Sequence, residues 1–162
     1  MLKWLWLSVL VIVLDQISKY MASQMLVMYE PVAVMPMFNF TLIHNPGAAF
    51  SFLSDAGGWQ RWFFSIVAIV VSGVIYNWLR KLQAQQTLQA VALAMVLGGA
   101  LGNVIDRLLL GYVVDFIQIY YEQWYWPAFN IADSAISTGV VLLIVDTLRG
   151  GHKETDASQS KE

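Results

Sequence analysis

Few side chains in this sequence can do covalent or acid-base chemistry, and their types decide much of the question. There are no Cys and two His. Thiolate nucleophiles and thiolate metal sites are therefore excluded, and a His-rich metal site has too few ligands. His152 stands in a polar C-terminal stretch, which leaves His44 as the one imidazole open to a Ser-His pair. Ser134, beside Asp133, has no His or Lys neighbour in sequence. Carboxylates remain. Asp115 sits in Tyr-Val-Val-Asp-Phe among apolar residues, and no Lys or Arg lies within ten residues of Asp133. Two carboxyls held close cannot both ionise cheaply, so they share a proton; one then activates water as a base while the other polarises a carbonyl as an acid. Spacing alone does not single out this pair, because any two Asp near a loop can be drawn this way. Neither a metal nor a cofactor is expected from these side chains.

The elements that must carry these groups are apolar. The chain has 162 residues, 58% hydrophobic and 12% charged, against about 45–50% and 25% in an ordinary soluble domain. At this length a single domain is expected. Four runs approach the roughly 20 apolar residues that a spanning helix needs: residues 4–21, 62–79, 88–110 and 128–147. Lys3 before the first run fits the start of a signal peptide, but Asp15 and Lys19 and the want of a clean small-x-small site argue against one. A net charge of -2 with scattered Lys and Arg offers no patch for nucleic acid. The expected fold is an all-α membrane protein of four transmembrane helices with a small extracytoplasmic β-rich loop region. Residues 1–149 form its one polytopic domain.

Positive charge sets the orientation. Lys3, Arg80, Lys81, Arg149, Lys153 and Lys161 flank one side of the four-span arrangement, and only Arg61 lies clear of the helices on the other. Both termini and the turn at 80–87 are then cytoplasmic, and loops 22–61 and 111–127 face outward. Residues 150–162 read as a polar cytoplasmic tail without ordered structure. Within the first loop, residues 32–52 are rich in Val, Phe, Ile and Thr, with Pro36 and Asn45-Pro46-Gly47 as turn signals, so short strands are expected there. Trp59, Trp62, Trp124, Tyr125 and Trp126 lie beside outer helix ends and read as an interfacial aromatic belt.

Helix rise gives each intramembrane polar residue a height. At 1.5 Å per residue, Asp15 lies about 18 Å and Lys19 about 24 Å above Lys3, Asn103 about 22 Å and Arg107 about 28 Å above Leu88, and Asp133 about 24 Å above Arg149. Three helices thus bring polar groups to one level, in the outer third of a core about 30 Å thick. Residues three or four apart share a face, which joins Asp15 with Lys19, Asn103 with Asp106 and Arg107, and Asn130 with Asp133, Ser134 and Ser137. Ionisable groups in hydrocarbon normally face a bundle interior, so these faces are expected to meet in a partly wet cavity. Plainer readings exist: Asp15 with Lys19 as a simple ion pair, Lys19 snorkelling outward, Arg107 as an interfacial anchor, Asp146 as a terminal charge, and Ala94, Gly98 and Gly102 as a packing stripe. The second helix offers only Ser65, Ser72 and Asn77 and reads as mainly structural.

Five segments in order resemble the lipoprotein signal peptidases, the bacterial type II signal peptidases. They are Asp15-Gln16-Ile17-Ser18-Lys19, Asn45-Pro46-Gly47-Ala48-Ala49-Phe50-Ser51, Gly102-Asn103-Val104-Ile105-Asp106-Arg107, Val114-Asp115-Phe116 and Phe129-Asn130-Ile131-Ala132-Asp133-Ser134. The resemblance covers nearly all of the chain from Asp15 to Ser134. It implies that Asp115 and Asp133 are a catalytic dyad, and that Asp15, Lys19, Asn45, Gly47, Asn103, Arg107, Asn130 and Ala132 shape or line the site. It further implies an aspartic endopeptidase of the bacterial inner membrane, acting near the outer face. Its substrate would be a diacylglyceryl-modified prolipoprotein, cut on the N-terminal side of the lipidated Cys. A monomer among membrane lipids is expected. The alternative is a small ion-coupled transporter or channel, since intramembrane charges also mark ion paths. Transporter sites, however, lie near the midplane between repeats, whereas this cluster is displaced outward and no repeat is found.

Overall fold

The computed structural model describes residues 1–47 and 58–159. A single 3-10 turn, Leu2–Trp4, leads into α1 (Leu5–Met25); β1 (Val32–Met35) and β2 (Phe38–Asn45) follow, then α2 (Trp59–Lys81), α3 (Thr87–Leu109), β3 (Val113–Tyr121), β4 (Trp124–Tyr125) and α4 (Ile131–Gln159). Among the described residues, four helical segments are long and apolar enough to cross a membrane: Leu2–Met25, Trp59–Lys81, Thr87–Leu109 and Ile131–Arg149. The expected helices are all present. Among them α3 is central, with 61% of its apolar window buried against 17–28% in the others. It packs on α1, α2 and α4.

Close approach to α3 depends on glycine. A Cβ on Gly98 would lie 2.7 Å from the Ser8 carbonyl oxygen, and one on Gly102 would lie 2.8 Å from Asp15 Oδ2. On the neighbouring face, a Cβ on Gly99 would collide with the Ala132 carbonyl oxygen of α4. The stripe of Ala94, Gly98 and Gly102 is therefore a packing surface, on which the α1 backbone lies against α3. Ile75, Leu79, Leu82, Ala90, Leu93 and Leu97 form an apolar cluster around the connection between α2 and α3. The outward faces are apolar as well: Val9, Val13, Ile17, Ile66, Val70 and Val141 are all exposed.

At the other end of the bundle stands a four-stranded antiparallel sheet in the order β1-β2-β3-β4. Pro36 falls in the β1–β2 turn, where turn chemistry places it. The second loop, expected only as a connection, is largely strand. β3 is built from Val, Phe, Ile and Tyr, and its backbone groups are met by β2 from the first loop. Two further boundaries differ. α4 starts at Ile131 rather than near residue 128, because Phe129 spends its N–H and C=O on β3: its N–H donates to the Ile117 carbonyl at 3.0 Å, and its carbonyl accepts from Phe116 and Ile117. The same helix continues to Gln159 through the stretch expected to be unstructured. No Pro interrupts residues 151–159, and their Lys, Glu, Ala and Gln favour helix without any apolar face.

Replacing Gly98 by Ala tests the close approach. The added methyl meets backbone, so Gly98→Ala should lower the melting temperature of the purified protein through overpacking of about 1–3 kcal/mol. Gly73→Ala, with nothing within 4 Å of the new Cβ, should be neutral or stabilising. Equal melting temperatures for the two variants would contradict the packing account.

Candidate active site

Lys19 is the hub. Its side chain is 3% exposed, and its Nζ reaches Asp15 Oδ2 at 2.8 Å, Asp106 Oδ2 at 2.9 Å and Asn103 Oδ1 at 2.8 Å. Three donors meet three acceptors, which is what makes a buried ammonium tolerable. Lys19 therefore does not snorkel outward, and its bond to Asp15 is one edge of a larger network. Gln16 closes that network by donating to Asp106 Oδ1 at 2.8 Å and, more loosely, to Asp15 Oδ2 and the Gly102 carbonyl.

The start of α4 is organised by a reciprocal cap. Asn130 accepts the Asp133 N–H on its side-chain oxygen at 2.9 Å, and Asp133 Oδ2 accepts the Asn130 N–H at 3.3 Å. This is the capping-box arrangement with Asn and Asp in the two roles. The Ala132 N–H, another donor left over at a helix start, goes to Asp15 Oδ1 at 2.9 Å. Ala132 is fully buried, and the site reads its backbone rather than its methyl.

Strand register supplies Asp115. Ile43 pairs with Asp115 and Asn45 with Val113, so Asn45 and Asp115 are diagonal neighbours on one face of the β2–β3 ladder. Asn45 Nδ2 accordingly donates to Asp115 Oδ2 at 3.0 Å. The turn that aims Asn45 is held by its own side chain, whose Oδ1 accepts the Gly47 N–H at 2.9 Å. Gly47 takes φ +106, and a Cβ there would lie 2.9 Å from the Phe64 ring, so only glycine fits. Ala48 to Ser51, the rest of that segment, lie outside the described residues.

The two carboxyls then meet around one residue. Asn130 Nδ2 donates to Asp115 Oδ1 at 2.7 Å, while the Asn130 backbone N–H reaches Asp133. Asn103 Nδ2 donates to the other Asp133 oxygen at 2.7 Å. Asp115 is 2% exposed. Its burial, and next the charge of Asp133, push its carboxyl up to about 7, against the opposing hydrogen bonds from Asn45 and Asn130. Asp133 is less enclosed and lines an open cavity of about 810 Å³ together with Asn45, Trp126, Phe129, Ser134 and Ser137.

Arg107 stays inside the cluster's electrostatic reach. Its Nη1 donates to the Asn103 carbonyl of its own helix at 3.3 Å, and its guanidinium lies over the Phe64 ring at 5.5 Å. Phe64 thus gives α2 a part beside the site. His44 does not join the carboxyls: one position from Asn45, it points to the opposite face of the sheet and stacks on Tyr112 at 4.0 Å. Partial burial pulls its imidazole below the ordinary value. Gln16 and Asp106 complete the network, although neither is among the site residues that the resemblance implies. Both lay within reach of sequence reasoning, since Gln16 and Lys19 are three apart on one helix, as are Asn103 and Asp106.

Fold and cluster together define a class: a bundle of long apolar helices, capped by a sheet, at whose junction two carboxyls are held by amides. A family model for signal peptidase (SPase) II matches residues 7–149. The chain belongs to that family, and is a peptidase. It is 54% identical over 155 residues to the lipoprotein signal peptidase of Alteromonas mediterranea, covering 96% of this chain and 85% of that one. The lipoprotein signal peptidase of Teredinibacter turnerae is 58% identical over 149 residues, covering 92% and 89%. A solved bacterial membrane enzyme is similar with a TM-score of 0.80 at 34% identity, covering 91% of this chain and 88% of that one.

The raised Asp115 carboxyl has a sign that can be measured. Folding traps its proton, so the native state loses stability relative to the unfolded chain as pH rises from about 4 to about 7, the window between its ordinary and folded values. Above about 7 the loss is complete. Asp115→Asn removes this contribution, so its melting temperature should gain on the parent's across that window and then run parallel. Curves parallel from pH 4 upward would contradict the shift.

Proposed function

We propose that Asp115 and Asp133 are the catalytic dyad of an intramembrane aspartic endopeptidase, which cuts diacylglyceryl-modified prolipoproteins on the N-terminal side of the lipidated Cys. The chain removes signal peptides from prolipoproteins as a member of its family. The observation that carries the dyad is Asn130, which holds one carboxyl with its side chain and the other with its backbone.

The chemistry follows from the unequal surroundings of the two groups. Asp133 faces the cavity and takes a proton from water as that water's oxygen bonds to the scissile carbonyl carbon. Asp115, buried beside it, gives its proton to the carbonyl oxygen. Collapse of the tetrahedral intermediate breaks the C–N bond, Asp133 returns its proton to the departing amine of the Cys, and Asp115 recovers its own. Asp115, whose carboxyl is pushed up to about 7 by burial, is the member of the pair that carries the proton to be donated. Asn45, Asn103 and Asn130 orient both carboxyls, and Asp15, Lys19 and the Ala132 N–H fix the helices that carry them.

The four apolar segments span the bacterial inner membrane with both termini and the turn at 80–87 cytoplasmic, and the sheet and dyad lie near the outer face. This reading is supported by the apolar outward faces and by Lys3, Arg80, Lys81 and Arg149 at ends of the apolar spans away from the sheet. Trp59, Trp62, Trp124, Tyr125 and Trp126 are all exposed near the sheet end, as an interfacial belt requires. The protein works as a monomer among membrane lipids.

Asp115→Asn and Asp133→Asn should each abolish turnover of a lipidated precursor by purified protein while leaving the melting curve cooperative, and the double variant should be no worse than either single one. Robust turnover by either single variant would refute the dyad. Because the chain has no Cys of its own, single cysteines at Gln85 and Gln123 can be labelled cleanly. In intact cells an impermeant thiol reagent should reach Gln123→Cys but not Gln85→Cys, and labelling of both would overturn the orientation.

A further inference from the structure

We propose that Asp106 is a positioning residue for hydrolysis: it clamps the peptide group of Val114 and thereby sets the carboxyl of Asp115 against Asp133. The inference rests on the reading of Asp115 and Asp133 as the dyad. Asp106 is 3% exposed and touches neither carboxyl of that pair in any hydrogen bond. Its Oδ2 accepts the Val114 N–H at 3.0 Å, and the Val114 carbonyl accepts from Asn130 Nδ2 at 3.3 Å. The residue immediately before Asp115 is thus held at its N–H by α3 and at its carbonyl by the start of α4.

That grip matters because the β2–β3 ladder is irregular close by. The register shifts between Phe40 and Ile43, just before the pair Ile43 and Asp115. Ladder hydrogen bonds alone leave the strand free to twist at such a shift. Asp106 supplies the missing constraint from outside the sheet. Its charge is carried by Lys19 on Oδ2 and Gln16 on Oδ1, so the clamp is preloaded by α1.

A second effect has the same origin. The charged groups around the dyad are Asp15 and Lys19 from α1, Asp106 and Arg107 from α3, Asp115 from β3 and Asp133 from α4. Removing the Asp106 charge leaves Lys19 less neutralised, and the fuller Lys19 charge favours the ionised form of Asp115, which loosens the hold on its proton. Behind the sheet, Asp106 and Lys19 line a cavity of about 480 Å³ together with Gln16, His44, Tyr112 and Val114. A small carboxylate can enter there.

The test uses the full chain, purified and supplied with lipidated precursor across a range of pH. Asp106→Ala should lower kcat by about 100-fold, the cost of a reacting group misplaced by about 1 Å, with KM close to the parent value. Added formate should restore part of that kcat in a saturable way. The isosteric Asp106→Asn variant keeps an acceptor for the Val114 N–H; it should lose less kcat, and the alkaline limb of its kcat profile should move to lower pH. Parent kcat and parent pH profile in Asp106→Asn, or a kcat loss in Asp106→Ala that formate leaves untouched, would overturn the proposal. Asp115→Asn run in parallel separates the two readings. If it turns over substrate, the dyad itself fails; if it is dead while both Asp106 variants match the parent, only the positioning role fails.

Discussion

Everything at the sheet end of this molecule depends on burying the Lys19 ammonium. An unpaired charge there would cost several kcal/mol, and removing one partner of a buried pair typically costs about 3–5 kcal/mol. The helices must therefore approach closely enough for Asp15, Asp106 and Asn103 to reach it together. Each of these partners does a second task. Asp15 receives the Ala132 N–H of α4, Asp106 receives the Val114 N–H of β3, and Asn103 donates to Asp133. One cation thus ties α1 to α3 and, through its partners' further hydrogen bonds, to the strand and the helix that carry the two carboxyls.

The packing stripe on α3 is the apolar half of the same constraint. Gly98 and Gly102 admit α1, while Gly99 admits α4. Gly102 lies directly against the Asp15 carboxylate, so the hydrogen-bond geometry and the helix separation are set by the same residue. A polar network this connected is stable only when every member is satisfied. The result is a connected platform that holds the Asp115 and Asp133 carboxyls in a fixed relation to each other.

Burial is unequal within the pair of carboxyls. Asp115 sits inside the sheet, roofed by Asn130 and Asn45, and its carboxyl is pushed up to about 7; Asp133 opens onto the cavity from the first turn of a helix. The sheet separates two environments. Its Asp115 face, which also carries Asn45, is on the side of the open cavity lined by Asp133, and its His44 face looks onto the ionic cluster behind. A strand alternates its side chains by geometry, so one residue of register slip would exchange these faces and dismantle the site.

Much was legible in the residues because helical patterns are local. The four apolar runs, the shared faces of Asp15 with Lys19 and of Asn103 with Arg107, and the small-residue stripe all follow from 3.6 residues per turn. Absent thiols and scarce imidazoles left carboxylates as the remaining chemistry. The resemblance then pointed to Asp115 and Asp133, which spacing could not single out. What the residues did not disclose is who meets whom across long stretches of chain. That the two loops join in one sheet, that Lys19 takes Asp106 as well as Asp15, that Arg107 lies against Phe64, and that Asn130 grips both carboxyls are pairings between distant positions. Such pairings are decided when α3 draws its neighbours together, because a side-chain hydrogen bond needs two groups placed within a few tenths of an ångström, and only the packed bundle fixes positions that finely.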